Sequence, residues 1–171
     1  MWKVFAENEG HVYADVDEVI MAYKAHQIHL HSRIVVPVAG MKKESFDPIH
    51  ANDYLVTTPG KIIFNSMFPS DFPFIEEVTK ENFEKTPDRF FIRPGQDIQA
   101  SISALPIVSA VKKKDLGKVI AEVFSRYSTD ETAEVLDQIK SLGFRYSTIA
   151  GITVALSDIE VAPDQDKYVA E

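Results

Sequence analysis

The 171-residue sequence contains no cysteine. That absence excludes a disulfide framework, a thiolate zinc site and a cysteine nucleophile together. It agrees with a reducing compartment. Positive charge is also scarce: 18 Lys and Arg stand against 26 Asp and Glu, a formal net charge of −8. A free-standing nucleic-acid binder normally has the opposite sign, because its affinity rests on neutralising phosphates. Residues 101–150 hold a slight basic surplus and residues 151–171 are markedly acidic, so no half is a basic arm. Long apolar runs are missing too. Met1-Trp2-Lys3 leads into Glu7 and Glu9 rather than a signal-peptide core. No stretch approaches the ~20 apolar residues of a membrane span. The expectation is a soluble, cytoplasmic protein with no membrane partner. There is no internal repeat and no low-complexity tract.

What the chain does have is an ordinary globular composition, 45% hydrophobic and 26% charged. Its length suits a single region, 1–171, with a core that needs no staple. Asp15 to Ala25 reads as a helix, with Asp15 as cap, Glu18 three residues on, and Val16, Val19, Ile20 and Tyr23 in one stripe. Ile28 to Val38 reads as a strand. Ile28, Leu30, Ile34, Val36 and Val38 share the core-facing parity, His29, His31 and Arg33 the other, and Pro37 marks an edge or exit. Tyr54 to Thr57 predicts a short strand entering a helix capped by Thr58, with Pro59 first and Ile63, Phe64, Met67 and Phe68 inward until Pro69. Seven of the 9 prolines fall between Pro48 and Pro106, so the middle third is turn-rich.

The last third predicts a helix after Asp115 with a buried stripe of Leu116, Val119, Ile120, Val123, Phe124 and Tyr127. Ser128 with Glu131 signals a second helix carrying Val135, Leu136, Ile139 and Leu142 and stopped by Gly143, the two forming a helical hairpin. Ile152, Val154 and Leu156 then alternate, giving a strand through about Val161. The expected class is α+β: mixed helices on a small, mainly antiparallel sheet, with a C-terminal helical hairpin followed by a strand.

Several residue groups offer chemistry. His29 and His31 on a strand would point the same way about 7 Å apart, and with His26 could serve a metal-dependent hydrolase. No HExxH or similar pattern accompanies them. Gly60-Lys61 is not a P-loop, since Leu55 replaces the first glycine and Ile62 the hydroxyl residue. Asp15 with Asp17, and Asp158 with Glu160, are paired carboxylates better explained as a helix cap and a polar strand face. Lys112-Lys113-Lys114 is the basic run, ahead of a helix start. No Ser-His-Asp set, glycine-rich nucleotide loop or RNA-binding aromatic motif can be assembled.

The string Leu142-Gly143-Phe144-Arg145-Tyr146-Ser147-Thr148-Ile149-Ala150-Gly151-Ile152-Thr153-Val154, followed by Ser157-Asp158-Ile159, resembles the beta-prime subunit of bacterial multisubunit RNA polymerase, in its Gram-positive Bacillus and Lactobacillus form. The likeness continues upstream, in collinear order, through Asp17-Glu18, Ala22-Tyr23, His29-Leu30-His31, Thr57-Thr58, Gly60-Lys61, Phe64-Asn65, Thr86-Pro87-Asp88-Arg89-Phe90-Phe91 and Leu116-Gly117-Lys118. Pro59 departs from the valine of relatives, and Ala155-Leu156 from a glycine and a small aliphatic residue. The resemblance implies an internal fragment that follows the catalytic barrel and lines the pore, or secondary channel. It implies no catalytic residue, cofactor or metal in this stretch, with Mg and Zn held elsewhere in the parent nucleotidyltransferase. It also implies as partners the beta, alpha, omega and sigma subunits, the remainder of beta-prime, and Gre-type factors near the channel. DNA and RNA would be met only through the whole enzyme. Thr58, Lys61, Arg145 and Thr148 are contact candidates because they are polar and lie in the resembling motifs. An independent metal-dependent hydrolase using His26, His29 and His31, or a small adaptor domain, are the alternative readings.

Overall fold

The computed structural model describes residues 9–105 and 111–157, with side chains of the last helix through residue 145. These residues fall into two compact units divided between Tyr127 and Ser128. The first unit opens with helix α1, Val16–Lys24. Asp15 caps it by accepting from Glu18 N at 2.9 Å, and Glu18 in turn accepts from Ala14 N. Val19 and Ala22 form its buried face.

Strand β1, Ile34–Pro37, and strand β2, Tyr54–Thr57, pair antiparallel, and β2 pairs antiparallel with the short β3, Phe91–Ile92. The order is β1-β2-β3. The outer edge of β1 is taken by residues 10–13, running parallel: Gly10 N donates to Arg33 O, Val35 N to His11 O and Tyr13 N to Val35 O. Ile34, Val36 and Leu55 face one core with Val19, Ile28, Ile62, Phe74 and Phe90. Val35, Val56 and Ile92 face a second core with Ile102, which helix α4, Ile98–Ala104, supplies. Both sheet faces are therefore covered, and β1 is apolar at every position.

That double cover corrects the long strand expected from Ile28 to Val38. Alternation assumes one wet face, but Val35 is as buried as its neighbours, and the strand begins only at Ile34. His26 adopts a φ of 58°, a left-handed turn that ends α1, and His29 and His31 lie in exposed turn backbone rather than on a strand.

Helix α2, Pro59–Asn65, follows β2 as expected, with Thr58 as its cap. Its inward face is Ile62, with Met67 and Phe68 beyond its end, while Ile63 and Phe64 are half-buried. Helix α3, Lys80–Glu84, is a single turn capped by Thr79. Helix α5, Lys113–Arg126, starts two residues before Asp115, which sits in its first turn and accepts from Lys112 N. An acid is favourable there. Val119 and Val123 are its buried centre. Phe124, one residue or about 100° further round, is 55% exposed instead of buried. Rings then run in a chain, Phe64 to Phe68 to Phe72 to Tyr127, and Arg126 reaches over Phe72 to the Phe83 carbonyl.

The second unit carries helix α6, Thr129–Ser157. Its start is the expected reciprocal box: Glu131 N donates to Ser128 Oγ and Ser128 N to Glu131 Oε2. The expected stop at Gly143 and the strand from Ile152 are both overturned. Gly143 continues the helix with no proline behind it, and its ladder of hydrogen bonds runs on through Ser157. Ile152 and Leu156 are four apart as well as two steps of an alternation, so the pattern fits a helix equally. Residues 158–161, the rest of that expected strand, lie outside the described residues, as do Asp158 and Glu160. Among the described residues, no helix is long and apolar enough to cross a membrane.

Candidate functional site

Two of the polar residues singled out by sequence, Thr58 and Lys61, meet at the start of α2. Thr58 is extended and accepts from Lys61 N at 3.3 Å. Pro59 takes the first helical position, where a missing N–H costs nothing. Gly60 is required by the close passage of Leu30: its N–H donates to Leu30 O at 3.0 Å, and a Cβ would lie 2.9 Å from that oxygen.

This helix start aims the Lys61 side chain at Glu76, Nζ to Oε2 at 2.6 Å, with Nζ also 5.7 Å above the Phe90 ring. The Glu76 side chain has no exposure and that of Lys61 only 19%. Burial pushes the Glu76 carboxyl above the usual carboxylate range, while Lys61, and then the Thr57 hydroxyl, draw it back toward the charged form. Neither Thr57 Oγ1 nor Glu76 Oε1 completes a well-aligned hydrogen bond.

Glu76 is set in place by side chains rather than by regular structure. Asn82 Oδ1 accepts from Glu76 N at 2.8 Å and Glu77 N at 2.9 Å, and its Nδ2 donates to Phe74 O at 2.8 Å. Thr86 Oγ1 donates to the same carbonyl. Asn65 brackets Ile75, accepting from its N–H at 2.7 Å and donating to its carbonyl at 3.0 Å, and also donates to Lys61 O. Both asparagines are buried. Arg89 closes the outer side, paired with Glu77 and Glu81 and lying 5.0 Å above Phe90.

A second polar knot joins the turn at Pro48–His50 to the sheet. The His50 ring lies flat on Phe91, centroids 3.8 Å apart, with Nδ1 2.7 Å from Asp53 and Nε2 3.1 Å from Asp88. Hydrogen bonds from His50, and then Lys85, hold the exposed Asp88 carboxyl below its ordinary value.

In these two groups the charges and donors are turned on one another and on the backbone. Such an arrangement fixes a shape; it does not present a nucleophile or a general acid to solvent. The histidine alternative finds no support: His26, His29 and His31 are exposed in turns, and no three His, Asp or Glu among the described residues stand together as metal ligands. Asp15 is spent on its helix cap and Asp17 on Lys42. Lys112, Lys113 and Lys114 are exposed where α5 begins. Arg145 is exposed on α6, and Thr148 lies further along the same helix. Glu76, Asn82 and His50 were not singled out by sequence, and Asn65 appeared only as part of the resembling motif Phe64-Asn65. Their one signal is a polar residue against an apolar run, as in Phe72-Pro73-Phe74-Ile75-Glu76.

Comparison with known proteins bears on this shape-holding design. The family described as RNA polymerase Rpb1, domain 3, matches residues 3–159. The DNA-directed RNA polymerase subunit beta' of Streptococcus thermophilus is 45% identical over 164 residues, 95% of this chain and 14% of the relative. The subunits beta' of Bacillus velezensis and Bacillus subtilis are 46% and 45% identical over 167 residues, 97% of this chain and again 14% of each relative. The chain thus spans about one seventh of the curated relatives it matches. With the match covering residues 3–159 of 171, the chain belongs to the RNA polymerase Rpb1 domain 3 family.

Proposed function

We propose that this chain acts as a structural part of the beta-prime subunit of a bacterial DNA-directed RNA polymerase, forming wall of the pore, or secondary channel, rather than performing nucleotidyl transfer. The observation that carries this reading is the near-half identity with named beta' subunits along 95% or more of the chain. The Lys61–Glu76 and asparagine ties support it, since a channel wall must hold its shape against its neighbours. A net charge of −8 suits a wall that meets DNA and RNA only through the whole enzyme.

On this reading the partners are the rest of beta-prime and the beta, alpha, omega and sigma subunits, with Gre-type factors near the channel mouth. The working place is the cytoplasm. Arg145 and Thr148 are contact residues on α6, while Thr58 and Lys61 act by positioning the start of α2. The Mg and Zn of the parent enzyme do not fit this stretch. It has no cysteine, and its buried carboxylates among the described residues, Glu76 and Asp53, are already engaged by Lys61 and His50.

The test is a chimera in which residues 3–159 of this chain replace the matching segment of the Bacillus subtilis beta' subunit. The expected result is an assembled core enzyme that makes promoter-directed RNA, while the chain alone, with template, primer, NTPs and magnesium, extends nothing. A chimera that fails to assemble, or template-dependent incorporation by the chain alone, overturns the proposal.

A further inference from the structure

The segment between β1 and β2 forms an open groove of about 470 Å³, away from the α2 start. Its apolar lining includes Val38, Phe46 and Pro48, and its charged lining is Lys42, Lys43, Glu44 and Asp47. We propose that this groove docks a basic segment of a partner protein, whose arginine side chains lay their stems on the apolar lining and their guanidinium heads on Glu44 and Asp47. This inference does not depend on the polymerase reading.

By formal count the four charges cancel, but by direction they do not. Lys42 turns the chain with a φ of 55°, and the two successive lysines reach different neighbours. Lys42 Nζ is held by Asp17, and Lys43 Nζ donates to Pro69 O at 2.8 Å and Phe68 O at 3.3 Å. None of those partners lines the groove. Both ammonium groups are thus drawn out of it, while the lysine stems stay in its wall. Glu44 and Asp47 are exposed. Asp47 accepts from Ile49 N at 3.1 Å, and among the described residues neither carboxylate joins an ion pair. What the groove offers a visitor is two acids beside an apolar surface.

Arginine matches that pairing. Its stem covers apolar surface while its head stays at the wet rim. The guanidinium is weakly hydrated and presents a planar fork of donors to a carboxylate. The surface is also set in advance: the half-buried Phe46 ring packs on Phe74 and on Phe91, centroids 5.9 Å apart in each case, and Glu44 N donates to Ser70 O at 2.9 Å. Little ordering is then left to do on binding. Because the groove is open, a side chain can enter it while the backbone that carries it stays outside.

The experiment titrates the full chain into a fluorescein-labelled pentapeptide that alternates leucine and arginine, read by fluorescence anisotropy. Saturable binding is expected, weaker by about fivefold or more when glutamine replaces arginine. Glu44→Gln with Asp47→Asn, which keeps an acceptor for Ile49 N, should weaken the arginine peptide by about fivefold. Glu134→Gln with Asp137→Asn removes the same charge from exposed positions of α6 and should change binding by less than about twofold, because distant charges are screened. Ala51→Trp fills the groove from an exposed lining position with no change of charge and should also weaken binding. Absence of saturable binding overturns the proposal. So does an equal loss from the two charge-removing pairs, which would mean attraction to the net charge of −8 alone. Binding untouched by Ala51→Trp, or displaced by spermidine at the peptide's own concentration, overturns it as well. A dimer in sedimentation velocity that Ala51→Trp abolishes would give the groove to a second copy instead.

Discussion

The segment from Phe72 to Glu77 and helix α6 meet the same demand in opposite ways. Every backbone N–H and C=O removed from water needs a partner. Along α6 the partners come from the helix itself, four residues away, whatever the side chains are. The 72–77 segment is buried through Glu76 and has no regular structure. Its partners are the amides of Asn65 and Asn82 and the hydroxyl of Thr86. A regular element spreads its stability over many interchangeable positions. An irregular one concentrates it in a few side chains.

The largest effect should follow from breaking the ion pair inside the irregular region. Lys61→Met leaves the Glu76 carboxyl buried without its cation and should cost about 3–5 kcal/mol in urea unfolding at neutral pH. Replacing both, Lys61→Met with Glu76→Leu, should recover most of that loss. The pH dependence has a definite sign. Burial raises the folded-state value of Glu76 above its unfolded one, so the folded state holds the proton more tightly. Stability from this group is greatest below the ordinary carboxylate range and falls as pH rises from there toward the folded value. The cost of Lys61→Met should therefore shrink between about pH 7 and about pH 4. A cost that stays flat or grows on acidification would show that Lys61 does not favour the ionised form of Glu76.

Asn82→Ala tests the amide ties with no change of charge. It strands two N–H groups and leaves the Phe74 carbonyl to Thr86 alone, and should cost about 2–4 kcal/mol. Asn82→Asp, which keeps the acceptor for Glu76 N and Glu77 N, should cost less. Equal losses for the two substitutions would mean that packing, not hydrogen bonding, holds the segment.

The smallest effect sharpens the other side of the comparison. No atom stands within 4 Å of a Cβ placed on Gly143. Gly143→Ala should then stabilise the chain by about 0.5–1 kcal/mol, as alanine does in a helix interior. Destabilisation would mean that Gly143 ends a helix in a left-handed conformation, as its place in the sequence suggested.

These contrasts also explain what could be read in the sequence. The caps at Asp15, Thr58 and Ser128 were legible because each works within three residues of its own helix. The α+β class was legible for the same local reasons. The long strand at Ile28 was not, because alternation cannot report a sheet covered on both faces, and neither Val35 nor the turn at His26 carries a local mark. The end of α6 was misread because glycine weakens a helix without having to end it. At the candidate site, Thr58 and Gly60 were visible as motif residues. The partner of Lys61 is Glu76, 15 positions away across an irregular stretch, where no periodicity links the two. Asn82 reads as an ordinary helix residue until the fold shows what its amide holds.

The parallel cover on β1 has a consequence for the order in which the molecule is made. Residues 10–13 lie on β1, β1 on β2, and β2 on β3, each segment meeting the next pairing segment along the chain. A polypeptide leaving the ribosome from its N-terminus can complete each pairing as the next strand emerges, without waiting for a distant one. The edges that these pairings cover, a usual point of entry for aggregation while open, are each exposed only for the synthesis of one intervening stretch. That sequential closure lets the sheet be finished at Phe91–Ile92, before α4, α5 and α6 have been made.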